Sequence, residues 1–215
     1  MKLAYGADGL IAVIVQDRLT GQVRMLAHMT PEALAETLRT GMATFFSRSR
    51  QALWVKGETS GNGLRVHAVV ADCDADALLL LVDPLGPTCH TGSPSCFFRR
   101  VDESGAAEEG VDAAPFLDEL ERAIEARKTS DAKTSYTKSL LDGGPEAIGA
   151  KLAEEAAELA RAIACESEAR VASEAADLVY HLLVGLASRG VRLRDVVAAL
   201  AARAGVSGHA EKAGR

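Results

Sequence analysis

The 215-residue sequence is 48% apolar and 25% charged, the balance of a chain that buries a hydrophobic core, and its length fits one large domain or two modest ones. Its net charge is −6 and both halves carry more acidic than basic residues, which excludes the strongly basic surface of a general nucleic-acid-binding protein. The sequence shows neither a signal peptide nor an apolar run near the ~18 residues of a membrane span, so we expect a cytoplasmic protein with no membrane or nucleic-acid partner.

Short alternating segments predict that the first half of the chain is rich in β-strands. LIAVIVQD and VRMLAHM predict a hairpin, with Gly21 at the permissive turn position. Thr30 is expected to cap the start of a helix, and Gly41 to end it. Four further strands are predicted at MATFFSRS, ALWVKG, LRVHAVVADCD and ALLLLVDP. One helix among these strands predicts a β-rich α+β domain.

The pattern changes midway along the chain. VDESGAAEEGVDAAP is rich in small and acidic residues, which is typical of a linker. Beyond it, apolar residues recur at spacings of three and four, with Gly190 and Gly205 as expected helix ends. Helices are predicted at PFLDELERAIEARK, PEAIGAKLAEEAAELARAIA, SEAADLVYHLLVGLASRG and RLRDVVAALAARAG. The sequence therefore predicts one domain at residues 1–108, then a linker plus an all-α domain at residues 109–215.

Three of the four cysteines lie within 24 residues. In a chain without an export signal, reduced thiols or metal ligands are expected rather than disulfides. If ADCDADA is extended, its three aspartates lie on one face and Cys73 on the other. The aspartates are Asp72, Asp74 and Asp76. Carboxylates bind Mg²⁺ well and thiolates bind Zn²⁺ well, so one strand would border two metal sites. The alternative is that the cysteines are core thiols and the aspartates form a solvated acidic edge.

Cys89 and Cys96 follow Cys73 at spacings looser than those of a zinc knuckle. Three thiolates leave one zinc position open for water, as in a catalytic site, and zinc makes hydroxide available by lowering the pKa of that water. His90 adjoins Cys89, but because neighbouring side chains diverge in an extended chain, we do not expect both to bind one ion. His90 is left between a proton-transfer role and a structural hydrogen bond.

A glycine-rich stretch before the cysteines, GETSGNG, lies among basic, aromatic and hydroxyl side chains. Such a set can hold a phosphate and a ribose, although a solvated basic loop fits the composition equally well. The predicted substrate-binding residues are Arg48, Arg50, Trp54, Lys56, Thr59 and Ser60.

Five motifs follow one another in the first half: LIAVIVQDRLTGQVRMLAHMT, FFSRSR, LWVKGETSGN, DCDADAL and GPTCHTGSPSCFF. In this order they resemble phosphoribosyl-AMP cyclohydrolase of histidine biosynthesis, over about residues 8–100. The resemblance implies hydrolysis of the N1–C6 bond in the purine ring of phosphoribosyl-AMP. His90, from its own chemistry, is a candidate catalytic residue for this step. It implies that the three cysteines bind Zn²⁺ and the three aspartates Mg²⁺. It also implies a homodimer whose zinc ligands come from both subunits.

The predicted helices of the second half carry acidic residues at helical spacing. One face, in KLAEEAAEL, is made by Lys151, Glu154, Glu155 and Glu158. The next helix repeats the pattern in EAADLVYH with Glu174, Asp177 and His181. The opposite stripe of the first helix is expected to pack inward through Ile148, Leu152, Leu159 and Ile163. Clustered carboxylates repel unless a cation such as Mg²⁺ neutralises them; the alternative is an ordinary acidic helix surface.

SYTKSLLDGGPEAIGAKLAEEAAELARAI and EAADLVYHLLVGL together resemble phosphoribosyl-ATP pyrophosphohydrolase, an all-α, MazG-like enzyme, over about residues 115–205. The resemblance implies release of pyrophosphate from the nucleotide. It implies four Mg²⁺ ligands: Glu155, Glu158, Glu174 and Asp177. Glu154 is a lesser ligand or a catalytic base, and Lys138 and Lys151 contact phosphate. Cys165 fits neither site and is expected to be an ordinary helix thiol.

The two resemblances imply consecutive reactions on small-molecule nucleotides, and so a bifunctional, cyclohydrolase-like and MazG-like enzyme using Zn²⁺ and Mg²⁺. Two alternatives remain. One is a zinc-stabilised dimeric scaffold whose helical half only dimerises. The other is a house-cleaning nucleoside-triphosphate pyrophosphatase fused to an unrelated metal hydrolase, which activity on ordinary deoxynucleotides would favour.

Overall fold

The structure, a computed structural model, describes residues 2–109, 114–131 and 135–204. The chain divides into two compact units, Met1–Pro115 and Phe116–Arg215. The first is built mainly of strands and the second of helices, which confirms the predicted pairing of a β-rich α+β domain with an all-α domain.

Eight strands and one helix lie in the described part of the first unit. They are β1 (Ile11–Asp17), β2 (Val23–Met29), α1 (Pro31–Thr40), β3 (Thr44–Ser47), β4 (Ala52–Val55), β5 (Leu64–Ala71), β6 (Ala77–Pro84), β7 (Arg99–Val101) and β8 (Ala107–Glu109). The main sheet has the order β2-β1-β6-β5. β1 runs parallel to β6, while β2 and β5 are antiparallel to their neighbours. β2 is therefore an edge strand of this sheet.

Every second side chain of the two central strands, β1 and β6, contributes to the core of the first unit. Every second residue of β1 is buried, among them Val13 and Val15, and the same holds for Leu80 and Val82 of β6. Because strand side chains alternate between faces, one face of the sheet packs inward. The aromatic ring of Phe45 joins this core from β3.

The predicted hairpin and helix of the first unit are confirmed. Gly21 adopts a φ of 80° in the turn between β1 and β2, a conformation that glycine reaches without a Cβ clash. The Thr30 side chain accepts a hydrogen bond from the Ala33 backbone nitrogen at 3.2 Å, capping α1. Gly41 ends the helix with a φ of 70°.

The prediction of a linker starting at Val101 is wrong in its first part. β7 and β8 pair antiparallel, with Val101 opposite Ala107. Asp102 makes the tight turn between them, because its carboxylate accepts hydrogen bonds from the backbone nitrogens of Ser104 at 2.8 Å and Ala106 at 3.0 Å. The predicted boundary after residue 108 falls inside β8, a few residues before the end of the first unit; residues 110–113 lie outside the described residues.

The described part of the second unit contains five α-helices and one 3₁₀ turn (Arg127–Thr129). The helices are α2 (Phe116–Ala126), α3 (Tyr136–Asp142), α4 (Gly144–Cys165), α5 (Glu168–Ser188) and α6 (Leu193–Arg203). α4 and α5 pack together, and the core consists of Ile124, Leu140, Ile148, Leu183, Val184 and Ala187. Gly190 follows α5 with a φ of 67°, as predicted, while Gly205 lies outside the described residues. None of the helices in the described ranges has the length and apolar character needed to span a membrane.

The inward stripe of α4 differs from the prediction. Ile163 is 66% exposed, whereas Ile148, Glu155 and Ala162 are buried. These three residues are spaced by seven, two helical turns, so they share one face. The buried stripe therefore runs through an acidic residue rather than through Ile163.

Candidate active sites

The acidic run of the first unit is a turn, and the predicted alternation along an extended strand is wrong. β5 ends at Ala71 and β6 begins at Ala77. The Ala77 backbone nitrogen donates to the Asp72 carboxylate at 3.1 Å, and the Asp72 nitrogen donates to the Ala77 carbonyl at 3.2 Å. Between them Ala75 is buried with a φ of 64°, a left-handed conformation that breaks the two-residue side-chain period of a strand.

The turn nevertheless gathers the three predicted aspartates. One carboxylate oxygen from each of Asp72, Asp74 and Asp76 lies within 4.8 Å of the others, and all three residues are exposed. Repulsion from Asp74, and then from Asp72, raises the pKa of the Asp76 carboxyl. Three exposed oxygen ligands that repel one another fit a hard divalent cation. Cys73 is also exposed on this turn, with Sγ 4.0 Å from Asp74 Oδ1.

The other two predicted zinc ligands lie together on the loop after β6. Burial alone would raise the pKa of the Cys89 thiol, but hydrogen bonds from Thr91, Cys96 and the His90 backbone outweigh it and lower that pKa. The Thr91 hydroxyl donates to Cys89 Sγ at 3.2 Å. Burial, followed by the neighbouring Cys89, raises the pKa of Cys96 to about 11. Cys89 is therefore the thiol that ionises first, and a cation would be needed to hold both as thiolates near neutral pH.

This loop borders an open cavity of about 510 Å³. The lining residues are Cys89, His90, Thr91, Cys96, Phe97, Phe98 and Arg99. The prediction that Cys89 and His90 diverge is wrong, because the chain turns here: the Gly92 nitrogen donates to the Cys89 carbonyl at 3.1 Å. His90 Nδ1 consequently lies 3.9 Å from Cys89 Sγ. The imidazole and the thiol pair thus face the same space.

Cys73 does not join Cys89 and Cys96 within one chain. Across the residues that the structure describes, two groups of three or more candidate ligands have atoms within 4.8 Å of one another, and neither includes a cysteine. The Cys89–Cys96 pair fits the chemistry of a thiolate metal site, and no third candidate ligand among the described residues joins it. Cys73 is exposed on the aspartate turn.

Of the predicted substrate-binding residues, Lys56 has a described contact with this loop. Lys56 is close enough to Cys96 to favour its thiolate, and its Nζ donates to the Asn62 carbonyl at 3.2 Å. Trp54 is half-buried against Phe45, with ring centroids 5.3 Å apart. Four of the predicted residues are exposed: Arg48, Arg50, Thr59 and Ser60.

The glycine-rich loop presses against the start of the cysteine loop. A Cβ on Gly86 would lie 2.3 Å from the Asn62 Oδ1 atom, and a Cβ on Gly57 would lie 2.3 Å from the Gly63 backbone nitrogen. Glycine is therefore required at Gly57, where φ is 86° and the close atoms are backbone, whereas a side chain at Gly86 would have to displace the Asn62 side chain. The close approach brings the hydroxyl-rich loop, residues 57–63, next to the thiol-bearing loop.

In the helical unit, α4 and α5 bring together three of the four predicted Mg²⁺ ligands. One oxygen from each of Glu155, Glu158 and Glu174 lies within 4.8 Å of the others. Glu155 and Glu174 are buried, and Glu158 is partly buried. Asp177 is exposed on α5 and is not part of this group. Buried carboxylates at this spacing need positive charge around them.

Two basic residues supply part of that charge. Lys151 Nζ lies 2.9 Å from Glu154 and 3.1 Å from Glu155. Arg170 contacts the Glu174 carboxylate, and sequence reasoning missed it. Its position four residues before Glu174 on one helix was the available signal. Lys138, the other predicted phosphate contact, pairs with Asp142 on α3.

A buried histidine supports Glu155. His181 Nδ1 lies 2.9 Å from the Asp177 carbonyl and 3.6 Å from Glu155 Oε1. A carbonyl only accepts, so Nδ1 carries a proton, and Nε2 lies 3.1 Å from the Tyr136 hydroxyl. This arrangement orients His181 towards the acidic group, and the role of Tyr136 in it is not visible from sequence spacing.

Comparisons with known proteins agree with this division. The family model for phosphoribosyl-AMP cyclohydrolase matches residues 25–98, and that for phosphoribosyl-ATP pyrophosphohydrolase matches residues 117–204. Each match falls within one structural unit.

Relatives named histidine biosynthesis bifunctional protein HisIE match most of the chain. The Escherichia coli K12 relative is 46% identical over 190 residues, covering 88% of this chain and 89% of its own. The Wolinella succinogenes relative is 45% identical over 212 residues, covering 96% and 93%. The Photobacterium profundum relative is 44% identical over 196 residues, covering 91% and 93%.

The matches make this chain a two-domain, metal-dependent hydrolase with a cyclohydrolase domain followed by a pyrophosphohydrolase domain. It belongs to the family of histidine biosynthesis bifunctional proteins HisIE. Both family resemblances predicted from the sequence are confirmed.

Proposed function

We propose that the chain performs two consecutive hydrolyses. Phosphoribosyl-ATP and water give phosphoribosyl-AMP and pyrophosphate at the helical site. Water then adds to the purine ring of phosphoribosyl-AMP at C6, and the N1–C6 bond breaks, at the thiol site. The observation that carries this proposal is that each unit has its own group of three carboxylates, with ligand atoms within 4.8 Å of one another. The first unit also has the Cys89–Cys96 thiol pair.

At the helical site, Glu155, Glu158 and Glu174 are the proposed Mg²⁺ ligands, with Asp177 and Glu154 at the margin. Bound Mg²⁺ would neutralise the triphosphate and position the attacking water. The buried carboxylates are held by the helix pair and by His181, 3.6 Å from Glu155. Arg170 and Lys151 contact these acids, so the phosphate oxygens of the substrate can also bind these two basic side chains.

At the thiol site, Cys89 and Cys96 are proposed to hold Zn²⁺ together with Cys73 of a second subunit. Bound Zn²⁺ would lower the pKa of a coordinated water towards neutrality. His90 borders the same cavity and is placed to move a proton during ring opening. The aspartate turn is proposed to hold Mg²⁺ for the substrate phosphate, with the side chains around loop 57–63 contacting phosphate and ribose.

A homodimer follows from the ligand count. A catalytic zinc site uses three protein ligands, and one chain brings two thiols together while the third is exposed elsewhere. We propose that two copies exchange Cys73, and that the enzyme acts in the cytoplasm on small nucleotides, without nucleic-acid or membrane partners.

The test uses purified full-length protein with phosphoribosyl-ATP, Mg²⁺ and trace Zn²⁺, and follows pyrophosphate and the ring-opened product together. Cys96→Ala should lower ring opening by more than about 100-fold, beyond what loss of an outer-shell partner costs a metal site, and leave pyrophosphate release intact. Glu158→Gln should stop pyrophosphate release, while added phosphoribosyl-AMP is still opened.

The matched controls are Cys165→Ala and Glu146→Gln, which change an exposed thiol and an exposed carboxylate outside both clusters. Both should keep both activities. Loss of both reactions in a folded Cys96→Ala or Glu158→Gln variant would contradict the two-site assignment. Pyrophosphate alone from the wild-type protein would restrict activity to the helical unit, and neither product would favour the scaffold alternative.

A further inference from the structure

A buried ion pair lies behind the thiol loop, in the hairpin of β1 and β2. Arg24 Nη2 is 2.5 Å from Asp17 Oδ2, and the two side chains are 8% and 0% exposed. Asp17 is itself fixed, because its other carboxylate oxygen accepts hydrogen bonds from the backbone nitrogens of Leu19 at 2.9 Å and Thr20 at 3.3 Å. The guanidinium of Arg24 is thus anchored to the turn of the hairpin.

Arg24 also holds the thiol loop from both its side chain and its backbone. Nη1 donates to the Pro94 carbonyl at 3.0 Å, and the Arg24 carbonyl accepts from the Cys96 nitrogen at 2.8 Å. One residue earlier on β2, the Val23 carbonyl accepts from the Ser95 hydroxyl at 2.7 Å. Because β2 is an edge strand, these carbonyls are available to the loop.

The Pro94 carbonyl is the point at which the two limbs of the loop meet. It accepts from Arg24 Nη1 and also from the Thr88 backbone nitrogen at 3.3 Å. Thr88 precedes Cys89, and Pro94 is two residues before Cys96. A displacement of this carbonyl would therefore change the separation of the two thiols.

Stability does not account for a buried arginine here. Replacing a buried ion pair with apolar residues of similar volume is often neutral or stabilising. Among the residues that the structure describes, Arg24 Nε is buried without a hydrogen-bond partner, which has a cost. A planar guanidinium does, however, fix direction, since its donors lie in a rigid fork. The geometry of its contacts is what an apolar residue would not reproduce.

We propose that Arg24, oriented by Asp17, is a positioning residue that sets the separation of the Cys89 and Cys96 thiols for a shared thiophilic ligand. The inference rests on the proposed zinc role of this pair for its functional meaning. It concerns a residue that touches neither substrate nor ligand and acts through the loop.

The test compares full-length wild-type protein with Asp17→Asn/Arg24→Met. The double change removes both charges, so no unpaired buried ion is left, while Asn keeps a turn acceptor and Met fills the arginine stem. The matched control is Arg18→Met, because Arg18 is in the same turn but pairs with Asp83 on β6 at 2.8 Å, away from the thiol loop. The thermal midpoint of the first unit reports whether each variant is folded, and pyrophosphate release reports whether the helical unit is intact.

Two measurements report thiol geometry. The first is Zn²⁺ affinity by chelator competition, with the thiolate charge-transfer and d–d bands of Co²⁺ as the spectroscopic signature. The second is binding of phenylarsine oxide to metal-free protein, in which arsenic forms two As–S bonds to neighbouring thiols and its oxygen leaves as water with their two protons. We expect the double variant to lose about 10- to 100-fold in Zn²⁺ affinity, the usual effect of outer-shell partners, to alter the Co²⁺ spectrum, and to bind the arsenical at least about tenfold more weakly. Arg18→Met should match the wild type in all three.

The possible results separate the two proposals. Wild-type-like Zn²⁺ affinity, Co²⁺ spectrum and arsenical binding in a folded double variant would overturn the positioning role and leave the zinc role intact. If the wild type binds no Co²⁺ through thiolates, as shown by a spectrum unchanged in Cys89→Ser, the zinc role fails. Binding of phenylarsine oxide is then the remaining test of the positioning role of Arg24. Weaker binding by the double variant supports that role, and binding equal to that of the wild type overturns it.

Discussion

Asp76 shows the conflict between stability and ligand geometry at the scale of a single residue. Its carboxylate is held beside two others by a turn whose backbone bonds close around Asp72 and Ala77. The repulsion raises the pKa of Asp76, so the folded protein disfavours the charged form relative to an unfolded chain. A cation bound among the three carboxylates would reverse the sign of this interaction.

We predict that Asp76→Asn raises the thermal midpoint of the metal-free protein at neutral pH. A raised folded-state pKa gives a favourable contribution that is fully present below the ordinary carboxyl pKa and is lost as pH rises through the folded pKa. The higher thermal midpoint of the variant should therefore appear at pH values above the folded-state pKa of Asp76 and disappear in acid. Scanning calorimetry across pH, with and without Mg²⁺, measures it, and Mg²⁺ should stabilise the wild type more than the variant.

Asp102→Asn is the control of opposite sign. Hydrogen bonds, first from the Ser104 side chain and then from the Ala106 nitrogen, lower the pKa of Asp102. Its contribution is present above the ordinary carboxyl pKa and lost as pH falls through the lowered value, so the substitution should lower the midpoint at neutral pH. If Asp76→Asn and Asp102→Asn shift the thermal midpoint in the same direction and by the same amount, repulsion between carboxylates does not explain the effect of Asp76→Asn.

Ligand types were predictable at this scale, but their geometry was not. Aspartate and cysteine could be assigned to hard and thiophilic cations from side-chain chemistry alone. The turn depends on Ala75 adopting a φ of 64°, which alanine does not signal in a sequence. Arg24 was likewise invisible, because a single basic residue in a strand normally faces solvent, and its partners are on a loop about 70 residues away.

The packing of α4 against α5 determines the acidic site at the scale of elements. On α4, Glu155 lies on the same buried face as Ile148. On α5, a Cβ on Gly185 would lie 3.4 Å from Ile148 Cγ2 and 3.5 Å from Leu152 Cδ1. These are ordinary van der Waals contacts, so the position has room for a methyl group but not for a larger side chain.

We predict that Gly185→Ala stabilises the protein by about 1 kcal/mol, because alanine is the better helix former and the methyl group fills an available contact. Gly149→Ala on α4 is the matched comparison, since a Cβ there meets nothing within 4 Å, and it should give the helix-propensity gain alone. Urea unfolding of the helical unit and pyrophosphate release measure the outcome. A destabilising Gly185→Ala beside a stabilising Gly149→Ala would mean that the helices are closer than described.

Element types followed from the sequence, while element ends depended on local capping. Apolar periodicity predicts α5 from Ser173 onwards, but the helix begins at Glu168, because the Ser167 side chain accepts from the Arg170 nitrogen and caps it there. The sequence predicts a linker where the β7–β8 hairpin lies, since its strands have three residues each and too few alternating positions to show a period.

At the scale of the whole molecule, the two proposed sites differ in how many of their proposed ligands lie together in one chain. The helical acids converge from α4 and α5 of one chain. The thiol pair has its third proposed ligand on a different, exposed turn. The two domains predicted from the sequence are confirmed, and the three zinc-binding thiols stay a prediction. Which of these thiols lie together could not be predicted, because that depends on the loop contacts of Cys89 and Cys96.

Complementation between variants tests a zinc site shared by two subunits. We predict that Cys73→Ser and Cys89→Ser are each inactive in ring opening as homodimers and recover activity when co-expressed. In a mixed dimer, one site combines Cys89 and Cys96 of the first subunit with Cys73 of the second, and the other site lacks two ligands. Random pairing of a C2 dimer gives about half mixed dimers with one working site of two, so about a quarter of wild-type activity is expected.

Cys89→Ser co-expressed with Cys96→Ser is the matched control. In each proposed site, Cys89 and Cys96 come from the same subunit, so no mixed dimer contains all three cysteines at one site. Ring opening should therefore stay absent. Pyrophosphate release should remain normal in every combination, because the helical acids are unchanged. Activity in the Cys73→Ser homodimer would show that Cys73 is not a required ligand. If Cys73→Ser and Cys89→Ser do not recover activity together, the zinc site is not shared between subunits.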